Sequence, residues 1–563
     1  MFAIVRIRPY IISGLALLLV APIVIGQTQS SGIEQTSPGT RPPAELVESF
    51  DGLGAALFAA SPPRNPSDNS LAVGPDHIIQ TVNSQLVVFT KKGKRFDTTG
   101  KVLYGPIATN TAFAGLGGVC EARPNGDAVV RYDQLAGRWL LVMPIFRRVG
   151  VRPGSDGGQT GVRPGSDRSE KSPVVQPAVP GELAQPGQAA QPGAAAPFGP
   201  PPPLPSPATR GQGPPAPAPP PTGRYAICYA VSTTSDPLGP YYRYAFERPL
   251  FPDYPRPAVW PDGYYTPTST GDDVIQKHVC VVDRVSMLKG LPATEQCVVI
   301  DGVNFLNTAD VDGPDAPPPG APNIVMAAGG TQLKDDLDDD AVFAWSLHVD
   351  WADPSKTKME GSQRIAVAPY HYLCGGQLTN CVSQPGTDRK LDAQGDKIMP
   401  RLVYRRFGGH ESIVAVHSID TAAGGGGVRW YEFRLDRQRV PQVHQQGTYA
   451  PDGFYRWMAS PAIDRFGNIG IGYSFGGTPH FAGQRFAGRV AADPPGQLTM
   501  RETILAEGEA SQSTTMRWED YTQTAIDPSD DCTVWYVGDY LKKDATSYTT
   551  RIGAFRMPGC GGR

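Results

Sequence analysis

Hydrolysis between neutral sugars needs two carboxyl groups flanking the bond, so acids at the ends of short apolar stretches are the first residues of interest. Glu411, beside His410 and after Gly408-Gly409, is one; Asp253 and Asp262, on either side of Ala258-Val259-Trp260, are others. The same Gly-Gly-His-Glu stretch also reads as a hairpin turn whose Glu411 pairs with an arginine. A second chemistry is hard-oxygen metal binding. Asp310-Val311-Asp312-Gly313-Pro314-Asp315 sets alternating carboxylates beside a turn glycine, which makes Asp310, Asp312 and Asp315 candidate ligands of a structural Ca2+. Asp335-Asp336-Leu337-Asp338-Asp339-Asp340 is a further acidic run, read as a solvated loop ahead of the apolar stretch at Ala341. No motif requires another cofactor. His-Glu-x-x-His helices and phosphate-binding loops are absent.

Eight cysteines and no Cys-x-x-Cys fit a disulfide framework better than a zinc site. Their placement favours Cys280 with Cys297, Cys374 with Cys381, Cys532 with Cys560, and Cys120 with Cys228, although spacing alone leaves the pairing open. Disulfides call for an oxidising compartment. Arg6 and Arg8, the apolar run Tyr10 to Ile25 and the small Gly26 supply the matching export signal, so residues 1–26 read as a signal peptide. The protein is therefore expected to be secreted, periplasmic or held in the cell envelope, with a flexible segment at 27–65. A formal net charge of −3 without a basic cluster gives no footprint for nucleic acid. Monomer is the default state.

These residues need elements to hold them. Val129 to Asp133, Arg138 to Val142, Tyr225 to Ser232 and Tyr241 to Phe246 read as four antiparallel strands, broken after the second by residues 149–222. That stretch repeats Gly-Val-Arg-Pro-Gly-Ser-Asp and then runs in Pro, Ala, Gly and Gln. It cannot repay the entropy of ordering its backbone and is read as a disordered, Pro-rich insert decorating one sheet. Comparable strand sets recur along the chain, with Asp133, Asp262, Asp464 and Asp527 at the turn after a short apolar strand. Such recurrence predicts an all-β, radially repeated architecture over residues 66–560: a β-propeller of six or seven four-stranded blades, with seven preferred. Trp139, Trp260, Trp345, Trp430, Trp457, Trp518 and Trp535 would pack between blades.

Asp127 to Asp133 before Arg138-Trp139, and Ile463-Asp464-Arg465-Phe466-Gly467-Asn468, resemble blades of sialidase-like and glycosidase-type propellers. Arg138-Trp139-Leu140, Ser232 to Pro237, Gly447-Thr448-Tyr449-Ala450 and Arg517-Trp518 with Asp520-Tyr521 are similar to a widespread group of secreted, mostly uncharacterised bacterial propeller proteins. No intact Ser-x-Asp-x-Gly-x-x-Trp box is present. The sialidase resemblance implies arginines for a substrate carboxylate, a Tyr activated by a Glu, and an acid/base Asp. On strand-start placement these are Arg131, Arg401, Arg456 and Arg517 as ligand-binding residues, with Glu411, Asp520 and Tyr521 as catalytic ones. Two functions follow as expectations. One is a propeller acting as a binding or scaffolding module for a glycan or cell-surface ligand. The alternative is a sialidase-like glycoside hydrolase with an arginine-lined axial site.

Overall fold

Four short strands bury too little apolar surface to stand alone, and stacking such sheets around an axis lets each face cover the next. In the computed structural model, which describes residues 33–55, 64–146, 225–248, 251–270, 273–301, 305–329, 341–376 and 379–560, seven sheets do this. The segment read as a signal peptide, the 149–222 insert and the acidic run at 335–340 lie outside the described residues.

The first strands of the blades are Ser70–Val73, Val129–Asp133, Ala258–Val259, Asn307–Val311, Leu402–Arg406, Tyr455–Ile463 and Gln523–Ile526. Each touches the next, and the seventh touches the first, so they line a closed axial channel. Asn307–Val311 and Leu402–Arg406 approach closely enough to pair in parallel, Asp310 opposite Val403, which fuses blades four and five into one continuous sheet. From each inner strand the chain steps outward through antiparallel neighbours, as in Val129–Asp133, Arg138–Ile145, Tyr225–Ser232 and Tyr241–Arg248 of blade two. The insert falls between the second and third of these strands, as the sequence predicts.

Blade seven takes its outer strand from the other end of the chain. Thr533–Tyr540 and Thr549–Arg556 continue to Glu45–Gly54, which pairs antiparallel with the latter from Glu45 opposite Arg556 to Gly54 opposite Thr549. The propeller thus starts well before position 66, inside the stretch read as a flexible segment. Glu45–Gly54 is an edge strand, half-buried along most of its length, so its sequence lacks the apolar alternation that marks the others. Its register is set by charge: Asp51 accepts from Arg551 (2.9 Å), Lys542 (2.6 Å) and Tyr540 (2.8 Å) of the same blade.

The core lies between blades. Trp139, Trp260, Trp430, Trp457 and Trp518 are fully buried, and Trp345 and Trp535 nearly so. Gly472 of blade six is backed by Tyr536 of blade seven so closely that a Cβ would stand 2.3 Å from the ring. Two of the turn aspartates close their own hairpins and also reach across: Asp133 accepts from Ala136 N–H (3.1 Å) and pairs with Arg284 of blade three (2.7 Å), and Asp527 accepts from Ser529 N–H (2.9 Å) and holds Lys91 of blade one (2.7 Å). All four expected disulfides are present, Cys120–Cys228, Cys280–Cys297, Cys374–Cys381 and Cys532–Cys560. No helix among the described residues is long and apolar enough to cross a membrane.

Candidate functional site

Since the inner strands all start at one end of the channel, the residues just before them gather there. Asp68 precedes Ser70–Val73, Asp127 precedes Val129–Asp133, Asp253 and Tyr254 precede Ala258–Val259, and Asp520 and Tyr521 precede Gln523–Ile526. The backbone at this end is unusual. Asp68 (φ 50°), Asp127 (57°), Tyr254 (52°), Gln394 (46°), Met458 (49°), Glu519 (56°) and Asp520 (68°) are all non-glycine residues in the left-handed region. That conformation is tolerated by Asp but costly for Tyr and Met, and such outliers concentrate at functional sites.

The carboxyl groups form a row. Asp68 is buried; its Oδ2 accepts from Asn83 Nδ2 (3.2 Å), and its Oδ1 has no hydrogen-bond partner. Burial, then the charges of Asp127 and Asp520, push its pKa well above the ordinary value. Asp127 and Asp253 are half-buried at the mouth, and both are raised, burial being the main cause; for Asp253 the neighbouring Asp127 adds to it. Asp127 Oδ2 accepts from Tyr254 N–H (3.3 Å). Opposite this row, Arg517 pairs with Asp520 and lies 3.4 Å from Asp392 Oδ2, with about a third of its side chain exposed (32%). Asp392 is fully buried and pushed up to about 7 by that burial and by Asp520, Arg517 opposing. Asp520 Oδ1 also accepts from Gln394 Nε2 (3.3 Å), and its carbonyl from Tyr254 OH (2.7 Å). Tyr521 stands edge-on to Tyr254, ring centroids 5.1 Å apart, its buried hydroxyl without a hydrogen-bond partner.

Deeper in the channel the groups neutralise one another. Arg401 Nε donates to Asp310 Oδ2 and Nη2 to Asp312 Oδ1, each at 2.6 Å; Arg131 Nε lies 3.3 Å from the same Asp310 oxygen; and Val259 N–H donates to Asp310 Oδ1 (2.8 Å). They border a cavity of only about 20 Å³ with Gln523 and Thr524. Burial lowers Arg131 to about 10, Asp310 opposing; burial works against Arg401 too, yet Asp310 and Asp312 outweigh it and hold its pKa above the usual guanidinium value.

The sequence-selected residues are therefore divided among four places. Arg517, Asp520 and Tyr521 share the mouth. Arg131 and Arg401 lie in the channel, and Asp310 and Asp312 occupy the guanidinium of Arg401, while Asp315 is exposed beyond Gly313. Arg456 is buried and bridges Asp452 (2.8 Å) and Glu502 (2.8 Å) within blade six. Glu411 begins a second strand, which places it at the opposite end of the channel, bonded to Tyr404 OH and Arg439. Of the aspartates preceding the inner strands, Asp253 and Asp520 are singled out in the sequence and Asp68 and Asp127 are not; their signal is an Asp shortly before four of the inner strands, as distinct from the turn Asp after a strand. Two sets of three His, Cys, Asp or Glu ligand atoms lie close together among the described residues, Cys280–Glu295–Cys297 and Asp464–Cys532–Cys560. In both the sulfurs are spent in a disulfide, which removes the thiolates a metal would need.

No family model matches the chain, and no curated protein does. Solved structures that it resembles include an ulvan lyase of polysaccharide lyase family PL25 (10% identity, 92% of this chain and 95% of the other, TM-score 0.30). Another is an endo-1,5-α-L-arabinanase from Thermotoga petrophila RKU-1 (11%, 92% and 100%, 0.28), and a third the WD40 domain of SCAP from fission yeast (10%, 60% and 74%, 0.25). Likenesses so remote leave function to the site itself.

Proposed function

We propose that the protein is a glycan-directed hydrolase whose working face is the end of the channel where the inner strands start. The observation that carries this reading is the row Asp68, Asp127 and Asp253, carboxyl groups whose proton affinity burial raises, standing beside Asp520 and its partner Arg517. Carboxyl groups whose surroundings push them apart in proton affinity are what acid-assisted cleavage of an acetal needs. In this scheme the half-exposed Asp127 and Asp253 supply the proton to the leaving oxygen. Asp520, oriented by Arg517 and Gln394, is the second carboxyl group of the reaction, placed to activate water or steady positive charge on the sugar. The exposed part of Arg517 receives a carboxylate or hydroxyls of the substrate. The inward path is blocked by Arg131, Arg401 and the two aspartates between them, so the glycan is met at the end face.

The test is turnover by the purified protein on a panel of aryl glycosides and polysaccharides, read as released reducing ends. Asp127→Asn and Asp253→Asn should lower kcat by at least about 100-fold while KM changes little. Binding to a glycan array without turnover, unaltered in both variants, would return this face to the binding and scaffolding role.

A further inference from the structure

Arg256 presents a problem independent of that reaction. It is 3% exposed, and none of its three guanidinium nitrogens has a hydrogen-bond partner among the described residues. It lies over two ring faces, Tyr254 at 5.0 Å and Phe305 at 5.2 Å, and feels the charges of Asp253 and Asp396 without bonding to either. Leaving so many charged donors unsatisfied away from water is costly. Arg256 lines a small cavity of about 10 Å³ together with Arg131, Arg401, Asp310 and Thr308, whose buried hydroxyl is also without a hydrogen-bond partner. That is room for roughly one water-sized body. Around it three guanidinium groups meet two carboxylates within hydrogen-bond reach, Asp310, bonded to Arg401 and to Val259 N–H, and Asp312, bonded to Arg401, while Asp253 and Asp396 attract Arg256 without a hydrogen bond. A water molecule must donate as well as accept, whereas the unsatisfied groups here are donors apart from the hydroxyl of Thr308, which can do either.

We propose that this cavity is a halide site, occupied by chloride, with Arg256 as its principal ligand and the hydroxyl of Thr308 as a second donor. A monatomic anion accepts from several N–H and O–H groups at once and needs no acceptor in return. Larger anions such as sulfate or acetate do not fit the volume. The site lies beneath Tyr254, so its occupant fixes the segment running from Asp253 to Arg256 whatever the mouth above it does.

Crystals of the full chain grown in sodium bromide should show an anomalous peak within hydrogen-bond reach of Arg256. Its absence, with ordered water or empty density in its place, would overturn the proposal. In solution the wild-type Tm should be higher by about 2 °C in chloride than in gluconate at equal ionic strength, with bromide in between. Arg256→Met should abolish that difference. Should this variant fail to fold, Thr308→Val should weaken it, and a difference unchanged by Thr308→Val, or missing in the wild type, counts against the site.

Discussion

A buried acid that keeps its proton leaves a trace in stability. Asp68 and Asp253 give up their protons near 3.8 in the unfolded chain but hold them to higher pH in the fold, because burial and neighbouring carboxylates disfavour the charged forms. Between those limits the folded state binds more protons, so these groups favour folding in acid and cost stability as pH rises. Asp392, at about 7, and Asp539, raised to about 8 by burial, extend the decline to that range. Asp68→Asn should then match the wild type in Tm near pH 4 and exceed it at pH 8. A gap that stays constant across a pH series would mean that Asp68 is not what titrates. The channel arginines obey the opposite logic, since each is already paired. Arg401→Met strands Asp310 and Asp312 and should cost about 3–5 kcal/mol, read from the urea midpoint, with part recovered when Asp312→Asn is added. Part of the set, Asp253, Arg517, Asp520 and Tyr521, was visible in the sequence; Asp68 and Asp127, and which residues meet, were not. Arg131, Asp310 and Arg401 come from blades two, four and five, and Arg456 looked like Arg401 until its own blade supplied Asp452 and Glu502.

At the scale of the element, alternation, turn aspartates and cysteine spacing carried the strand assignments, because each is a local signal. Glu45–Gly54 escaped for the converse reason: its partner strand, Thr549–Arg556, is at the far end of the chain and its half-exposed pattern carries no period. Blade two permits a direct test of how local a blade is. Cys120, on a short helix, is tied to Cys228 in the third strand, closing a loop of 108 residues that contains the stretch between Ile145 and Tyr225. Replacing both cysteines by alanine should cost about 4–5 kcal/mol, as expected for a loop of that length. Deleting 150–221 should be nearly neutral while the disulfide is intact. In the cysteine-free background the same deletion should restore about 1 kcal/mol, since loop closure costs only about 0.6 kcal/mol per doubling of length. A large loss from the deletion with the disulfide intact would mean that the stretch packs on the blades.

For the whole molecule, closure of the ring is what couples these parts. Each blade covers its neighbour, so the seam where Glu45–Gly54 completes blade seven secures the ring. Asp51 is its electrostatic centre. Burial raises its pKa, but hydrogen bonds from Lys542, Arg551 and Tyr540 lower it by more, so the net shift is downward. The stability it contributes is present above about pH 4 and is lost as pH falls through the folded value, opposite in sign to the mouth carboxylates. Removing residues 33–55 should leave Thr549–Arg556 as an exposed edge, with Leu46 gone from beside Gly553 and Phe50 gone from its edge-on contact with Phe89 in blade one. The truncated protein is expected to unfold in a broad, less cooperative transition, or to self-associate through that edge. A synthetic peptide of residues 43–55 added in trans should restore the sharp transition, since strand addition supplies the missing main-chain hydrogen bonds. A truncated ring that keeps the wild-type Tm and cooperativity would show that the seven inner strands hold the propeller closed without this outer strand.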